Sequence, residues 1–465
     1  MSAQSGDLAK NPSQGEHRIA RFLRRALRNH PARVTVVVFV LLIVFFWSLL
    51  SLPIATASGQ RAPVMDALFT AVSAVCVTGL TTVSTATFWS VFGQVVITLA
   101  MFVGGLGVMT LASLLAFAVS RHLGLTQRLI MRESTSTGAL SDAAMIILGV
   151  IFTSSAVQLV IFLSLFLSFW SEGVSVGTAA WDAVFMAISA FNNVGFVVTP
   201  GGIEQYTSDW GVILPITLGA FIGALGFPVV TELRRFWRTP RRWSVHTKLT
   251  LSMFCGLVAT SIIATMVLEW TNPDTLGSAP WSEKILGALL SGVSPRSLGI
   301  STIAVDDMRP ATRLLNDIFM FIGGGSASTA GGVKVTTFAV LVLAVLAEAR
   351  GNNDIEVFRR RLSYNTVRLA VGVLMLSSIL VFGSTFALLL LTDFGLDEVL
   401  LEAISAFATV GLSTGITPLL PDPAKLLLSL LMLAGRLGPI TLATALALRQ
   451  RHNLIRMPEA RPIIG

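Results

Sequence analysis

The sequence predicts an all-α membrane protein of four repeats, each a long apolar span, a short helix that enters and leaves on one side, and a second span, gathered around one axis. Three observations carry this. The 465-residue chain is 53% hydrophobic and 12% charged, with a mean hydropathy of +0.76, whereas soluble domains carry about 25% charged residues. Its basic residues cluster in alternate connections, and one short segment recurs four times.

The spans come first. Residues 34–60, 143–171, 210–231, 249–268 and 369–392 contain no Asp, Glu, Lys or Arg, and each is long enough to cross a bilayer as helix. Lys and Arg number 7 before residue 34, 3 in 121–132, 6 in 234–248, 6 in 334–368 and 4 after 448, which is 26 of 33. The positive-inside rule then places both termini and these connections in the cytoplasm of an inner-membrane protein. The net charge of +8 thus reads as an orientation signal, and no nucleic-acid partner is expected. The polar, Arg-rich first 32 residues lack a cleavable apolar core, so residues 33–53 read as a retained span. Within them, residues 17–30 place Ile19, Phe22, Leu23, Ala26 and Leu27 on one helical face, suited either to lying on the inner membrane surface or to serving topology alone. All five histidines fall in the basic connections. With none at membrane depth, an intramembrane hydrolase or metal enzyme is excluded as a reading, and no enzyme activity is expected. The two cysteines, Cys76 and Cys255, cannot build a multi-disulfide framework.

The recurring segment is MDALFTAVSAVCVTGL at 65–80, WDAVFMAISAFNNVGF at 181–196, WSEKILGALLSGVSPRSLGI at 281–300 and LDEVLLEAISAFATVGL at 396–412. Each ends in a glycine followed by an apolar residue, and Ser73, Ser189 and Ser405 lie six positions before their glycines. About ten helical residues reach about 15 Å, half of a hydrocarbon core, so each helix must be re-entrant from outside. Its C-terminus, the negative end of the macrodipole, then points at the middle of the ring and favours a cation. Asp66, Asp182, Glu283 and Asp397 or Glu398 are expected at the outer N-termini, capping free N–H groups. The following peptides, Val77-Thr78-Gly79-Leu80, Asn193-Val194-Gly195-Phe196, Ser297-Leu298-Gly299-Ile300 and Thr409-Val410-Gly411-Leu412, can turn carbonyls inward, as in rings that replace the hydration shell of K⁺.

Beyond the third repeat, ten small residues, Gly323-Gly324-Gly325-Ser326-Ala327-Ser328-Thr329-Ala330-Gly331-Gly332, interrupt the 36 residues between Arg313 and Arg350. Each glycine costs a helix about 1 kcal/mol relative to Ala, so the helix should break there, and a small flexible segment at membrane depth is a candidate gate. Arg436, ten residues into the span that begins near Leu426, is a functional candidate because a mid-membrane arginine costs at least about 2.5 kcal/mol. Lys334, just after the loop, could snorkel toward the cytoplasm but reads rather as a structural residue. Arg296 should be paired, with Glu402 as one candidate partner.

These residues carry a resemblance. VCVTGL at 75–80, FNNVGF at 191–196, FATVGLSTG at 407–415, GGGSASTAGGVKVTT at 323–337 and AGRLGPITL at 434–442 resemble the Trk/Ktr/HKT superfamily of potassium transporters, most of all the KtrB-type membrane subunit. The third repeat departs, having Arg296-Ser297-Leu298-Gly299-Ile300 where the family more usually has R-T-A-G-F. The resemblance implies four M1–pore helix–M2 repeats arranged pseudo-fourfold around one pore, potassium-channel-like. In this reading a basic N-terminal segment (1–32) precedes repeats at 33–132, 133–242, 243–361 and 362–449, and a cytoplasmic tail (450–465) follows. It further implies K⁺ uptake through the sixteen filter residues named above, residues 323–332 as an intramembrane gate loop contacted by Arg436, and a homodimer. A cytoplasmic KtrA-type ring would carry any nucleotide, with no covalent cofactor on this chain and Na⁺ as an activator. A less selective Na⁺/K⁺ channel, or a TrkH-type subunit with another regulatory partner, stays open. An inverted-repeat transporter is disfavoured, because all four short helices enter from the same side.

Overall fold

The computed structural model describes residues 31–121, 139–352 and 354–438. The amphipathic peptide 17–30, most of the basic connection 121–132 and the tail 450–465 lie outside the described residues. Repeat 1 comprises α1 (Pro31–Leu50), α2 (Val64–Val75) and α3 (Val91–Arg121). Repeat 2 comprises α4 (Ala139–Ser171), α5 (Val176–Asn192), α6 (Trp210–Leu225) and α7 (Phe227–Phe236). Repeat 3 holds α8 (Val245–Glu269), α9 (Trp281–Val293), α10 (Pro310–Phe321) and α11 (Val335–Ala349), then a hairpin of β1 (Glu356–Val357) and β2 (Arg360–Arg361). Repeat 4 holds α12 (Tyr364–Leu391), α13 (Leu396–Ala408) and α14 (Asp422–Leu437).

Among the described residues, Ile147–Ser171, Val245–Glu269 and Tyr364–Leu391 are each long and apolar enough to span a bilayer, and the bent pair α6–α7 makes a fourth. Their outward faces carry bare apolar side chains such as Leu159, Ile263 and Phe382, which is what a lipid solvent asks of a surface. The four short helices α2, α5, α9 and α13 have 12, 17, 13 and 13 residues, short of the roughly 20 needed to cross, and their C-terminal halves are buried.

Closure of the ring is visible in which element packs on which. Each repeat's second span leans on the next repeat's short helix: α3 on α5, α6 on α9, α10 on α13, and α14 back on α2. Polar side chains tie three of these four joints near the N-termini of the short helices. Trp181 Nε1 donates to Gln94 Oε1 at 2.8 Å, Arg313 meets Asp397 at 3.3 Å, and Lys425 meets Asp66 at 3.2 Å. The expected role of the carboxylates as helix caps is therefore corrected. Asp66 and Asp397 bind the neighbouring repeat instead, and Asp182 sits buried inside α5, which begins earlier, at Val176. Glu398 alone caps as expected, accepting from the Gly395 N–H at 2.8 Å.

The span read as continuous over 210–231 is also corrected: it turns by 99° between α6 and α7. Gly226 makes the turn at φ 93°, and Pro228 in the first turn of α7 cannot donate to α6.

Candidate ion-binding site

The short helices end in one recurring turn. In repeats 1, 2 and 4 the residue after the C-cap or at it, Val77, Asn193 and Thr409, lies in the left-handed region at φ 59°, 58° and 49°. Paired backbone bonds close each turn: Val77 N to Ala74 O and Thr78 N to Ser73 O, Asn193 N to Ala190 O and Val194 N to Ser189 O, Thr409 N to Ala406 O and Val410 N to Ser405 O. This Schellman geometry, usually built on glycine, is held here by side chains. Ser73 Oγ and Ser405 Oγ each accept from the N–H of Gly79 and Gly411 at 3.0 Å, while Ser189 Oγ donates to Phe196 O at 2.8 Å. These are the three serines whose spacing recurs in the sequence. Repeat 3, which has valine at that position, takes another route. Ser294–Arg296 form a 3₁₀ turn, Ser297 stands at φ 114°, and Leu298 N bonds Ser294 O at 3.0 Å. The departing motif thus gives a differently wound third quarter that still delivers its glycine.

The four glycines meet. All have positive φ, from 72° to 96°, so a side chain added to any of them would point at the next repeat. A Cβ on Gly79 would lie 1.8 Å from Val194 O, on Gly195 2.9 Å from Leu298 O, on Gly299 2.1 Å from Val410 O, and on Gly411 2.4 Å from Thr78 O. Each contact runs to the residue preceding the next glycine, so the sequence of contacts closes on itself after four steps. The same four glycines border one open cavity of about 380 Å³. The carbonyl oxygens of Thr78, Val194, Leu298 and Val410 thus each lie against the glycine of an adjoining repeat, and Thr78 Oγ1 and Thr409 Oγ1 are buried without a hydrogen-bond partner. Carbonyl and hydroxyl oxygens without a protein partner are free to accept from water or to solvate a cation.

Residues 323–332 cross directly beneath. The residues flanking them, Ile322 and Val333, form a short parallel bridge, and the segment between satisfies the broken end of α6. Gly325 N donates to Ala224 O at 2.8 Å, Thr329 N to Gly223 O at 3.3 Å, and Phe227 N to Ala327 O at 3.2 Å. The carbonyls that α6 would leave orphaned are thus taken by the segment. A Cβ on Gly331 would meet Thr409 Oγ1 at 2.3 Å, and Asn193 Nδ2 donates to Thr329 Oγ1 at 2.7 Å. Arg436, buried, donates through Nη1 to Thr329 O and through Nη2 to Gly104 O at 3.4 Å. Lys334 does not snorkel; its Nζ turns back to donate to Ala330 O. Arg296 is not paired with Glu402. It donates to Phe319 O at 2.8 Å and to Ile322 O, the free carbonyls at the end of α10, and lies against the rings of Phe254 and Phe319. Glu402 instead accepts from Ser413 and Thr417.

One set of residues escaped the sequence reading. Gly104, Gly223 and Gly435 stand where a Cβ would lie 2.2, 2.0 and 1.6 Å from Val75 O, Phe191 O and Phe407 O, each four residues before its filter glycine. They open a motif, G-x-L-G, at 104–107, 223–226 and 435–438. It begins 25, 28 and 24 residues after Gly79, Gly195 and Gly411, and that spacing was the available signal. Gly226 and Gly438 at its end share nearly one conformation, φ 93° and ψ 143° against φ 83° and ψ 138°.

The ring of glycines and the segment packed on it fit a membrane protein of the cation-transport class. The sequence matches the family described as "TrkH: Cation transport protein" over residues 35–454, and the chain belongs to that family. It is 35% identical over 447 residues to the Ktr system potassium uptake protein B of Bacillus subtilis (strain 168), covering 94% of this chain and 98% of that one. It is 33% identical over 421 residues to the protein of the same name from Vibrio alginolyticus, covering 90% and 91%. In fold it is similar to the crystal structure of the potassium transporter TrkH from Vibrio parahaemolyticus, with a TM-score of 0.70 at 19% identity over 88% of this chain and 84% of that chain.

Proposed function

We propose that the chain takes up K⁺ across the inner membrane, with both termini cytoplasmic, through a filter formed by residues 77–80, 193–196, 297–300 and 409–412. The observation that carries this is the closed cycle of glycine-to-carbonyl contacts from Gly79 through Gly195 and Gly299 to Gly411, because four inward carbonyls replace water around a K⁺-sized ion. Residues 323–332 act as the gate, and Arg436 holds them closed through Thr329 O while its charge repels cations at that level. The names of the two relatives place them in the Ktr system, and the resemblance of the sequence motifs implies a homodimer working with a cytoplasmic KtrA-type ring that carries the nucleotide, with Na⁺ as activator.

Radiotracer uptake of K⁺, Rb⁺ and Na⁺ into liposomes holding the purified protein, with and without the ring partner, tests this reading. K⁺ and Rb⁺ should enter in preference to Na⁺, and the partner should change the rate. Equal entry of all three ions would remove the filter assignment.

A further inference from the structure

On the side that the proposed orientation makes cytoplasmic, the start of α8 and the β1–β2 hairpin enclose a cavity of about 1200 Å³. Arg241, Arg242, Lys248, Arg359, Arg360 and Arg361 line it. Six cations around one space repel each other unless an anion joins them. The nearby carboxylates fill that role only for Arg361, which pairs with Asp354 at 2.9 Å; Glu232 is engaged by Ser244 and Thr247, and Glu356, exposed on β1, does not line the cavity. Among the described residues Arg241, Arg242, Arg359 and Arg360 have no ion pair.

The hairpin that presents these arginines is itself unusual. Glu356 pairs with Arg361 and Val357 with Arg360, which leaves a two-residue turn with Phe358 at φ 47° and Arg359 at φ 62°. A turn of this kind calls for Asn-Gly or Gly-Gly, and bulky residues with positive φ there are strained. Lys248 Nζ lies 5.9 Å from the Phe358 ring and donates to Arg241 O at 3.4 Å, so both walls of the cavity are tied together. Trp237 and Tyr364, on the connections that carry these arginines, are 66% and 81% exposed, as aromatic residues are at a headgroup layer.

We infer that this cavity binds a phosphodiester anion, the headgroup of an acidic phospholipid of the adjoining leaflet. Guanidinium pairs match phosphate oxygens in bidentate fashion, and basic pockets between spans suit such headgroups. The inference rests on the proposed orientation but not on ion selectivity, so its test reads lipid binding rather than transport. The full-length protein in detergent is titrated with dioctanoyl phosphatidylglycerol, dioctanoyl phosphatidylcholine, ATP and inorganic phosphate, following bound lipid by native mass spectrometry and the thermal midpoint. Phosphatidylglycerol should bind in preference to phosphatidylcholine and raise the midpoint. The triple substitution Arg241→Gln, Arg359→Gln, Arg360→Gln should weaken it by roughly 100-fold, whereas the corresponding triple Lys variant should stay within about tenfold. Arg359→Gly, which relieves the turn, should raise the lipid-free midpoint and yet lower the affinity, an outcome a merely structural role would not give. Equal binding of the two lipids, or undiminished binding by the Gln variant, would overturn the site. Tight binding of ATP or phosphate without a phospholipid response would overturn its assignment to lipid.

Discussion

The densest chemistry of the molecule sits at single residues whose side chains are absent or buried. Gly79 and Gly411 each face a neighbouring carbonyl at a distance no side chain tolerates, 1.8 and 2.4 Å from an added Cβ. Gly79→Ser or Gly411→Ser must therefore push that oxygen out of the ring. If one carbonyl is worth about 1.4 kcal/mol, K⁺ over Na⁺ discrimination falls about tenfold, measured as tracer flux and as growth on low K⁺; unchanged selectivity in both variants would contradict the filter. Arg436 is the second such residue. Arg436→Gln removes a charged donor from Thr329 O, a bond of the class worth about 1.5–3 kcal/mol, and should raise Rb⁺ flux at least tenfold in the absence of any partner. A flux equal to wild type would leave Arg436 a purely structural role.

Elements matter here mainly through what joins them. The segment 323–332, the proposed gate, is held in place by bonds that include the buried one from Asn193 Nδ2 to Thr329 Oγ1 at 2.7 Å. Thr329→Val keeps the shape and removes the acceptor, and it should loosen closure by about 1–3 kcal/mol, read as increased flux without loss of ion preference. The Lys425–Asp66 joint closes the ring between the last repeat and the first. Lys425→Met leaves a nearly buried carboxylate unpaired and should destabilise the fold by about 2 kcal/mol, with Asp66→Asn in the same chain restoring most of it, followed by thermal unfolding. This joint was illegible in the sequence, because residues 359 positions apart announce nothing to each other. The four short helices and their glycines were legible, since repetition exposes them whatever their contacts. The pairing of Arg296 failed for a third reason: the sequence displays charged side chains, whereas the partners turned out to be backbone carbonyls at the end of α10. For the same reason the break at Gly226 was hidden, as its compensation comes from a segment about 100 residues later.

At the scale of the whole molecule, orientation remains the property from which the pathway takes its direction. With Cys255 replaced by serine, a cysteine at Gly202, between α5 and α6, should react with an impermeant maleimide added outside intact cells, and one at Arg359 should react only after permeabilisation. The reverse pattern would invert the proposed direction of entry. The G-x-L-G positions add one consequence of having all four quarters in a single polypeptide. Gly105, Ala224 and Arg436 occupy matching places in that motif, yet only one carries a guanidinium. A homotetramer would have to set four like charges around the conduit or forgo them altogether. A single chain lets each quadrant change alone, so the arginine of this motif can be placed in one quarter of the proposed pathway without being repeated in the others.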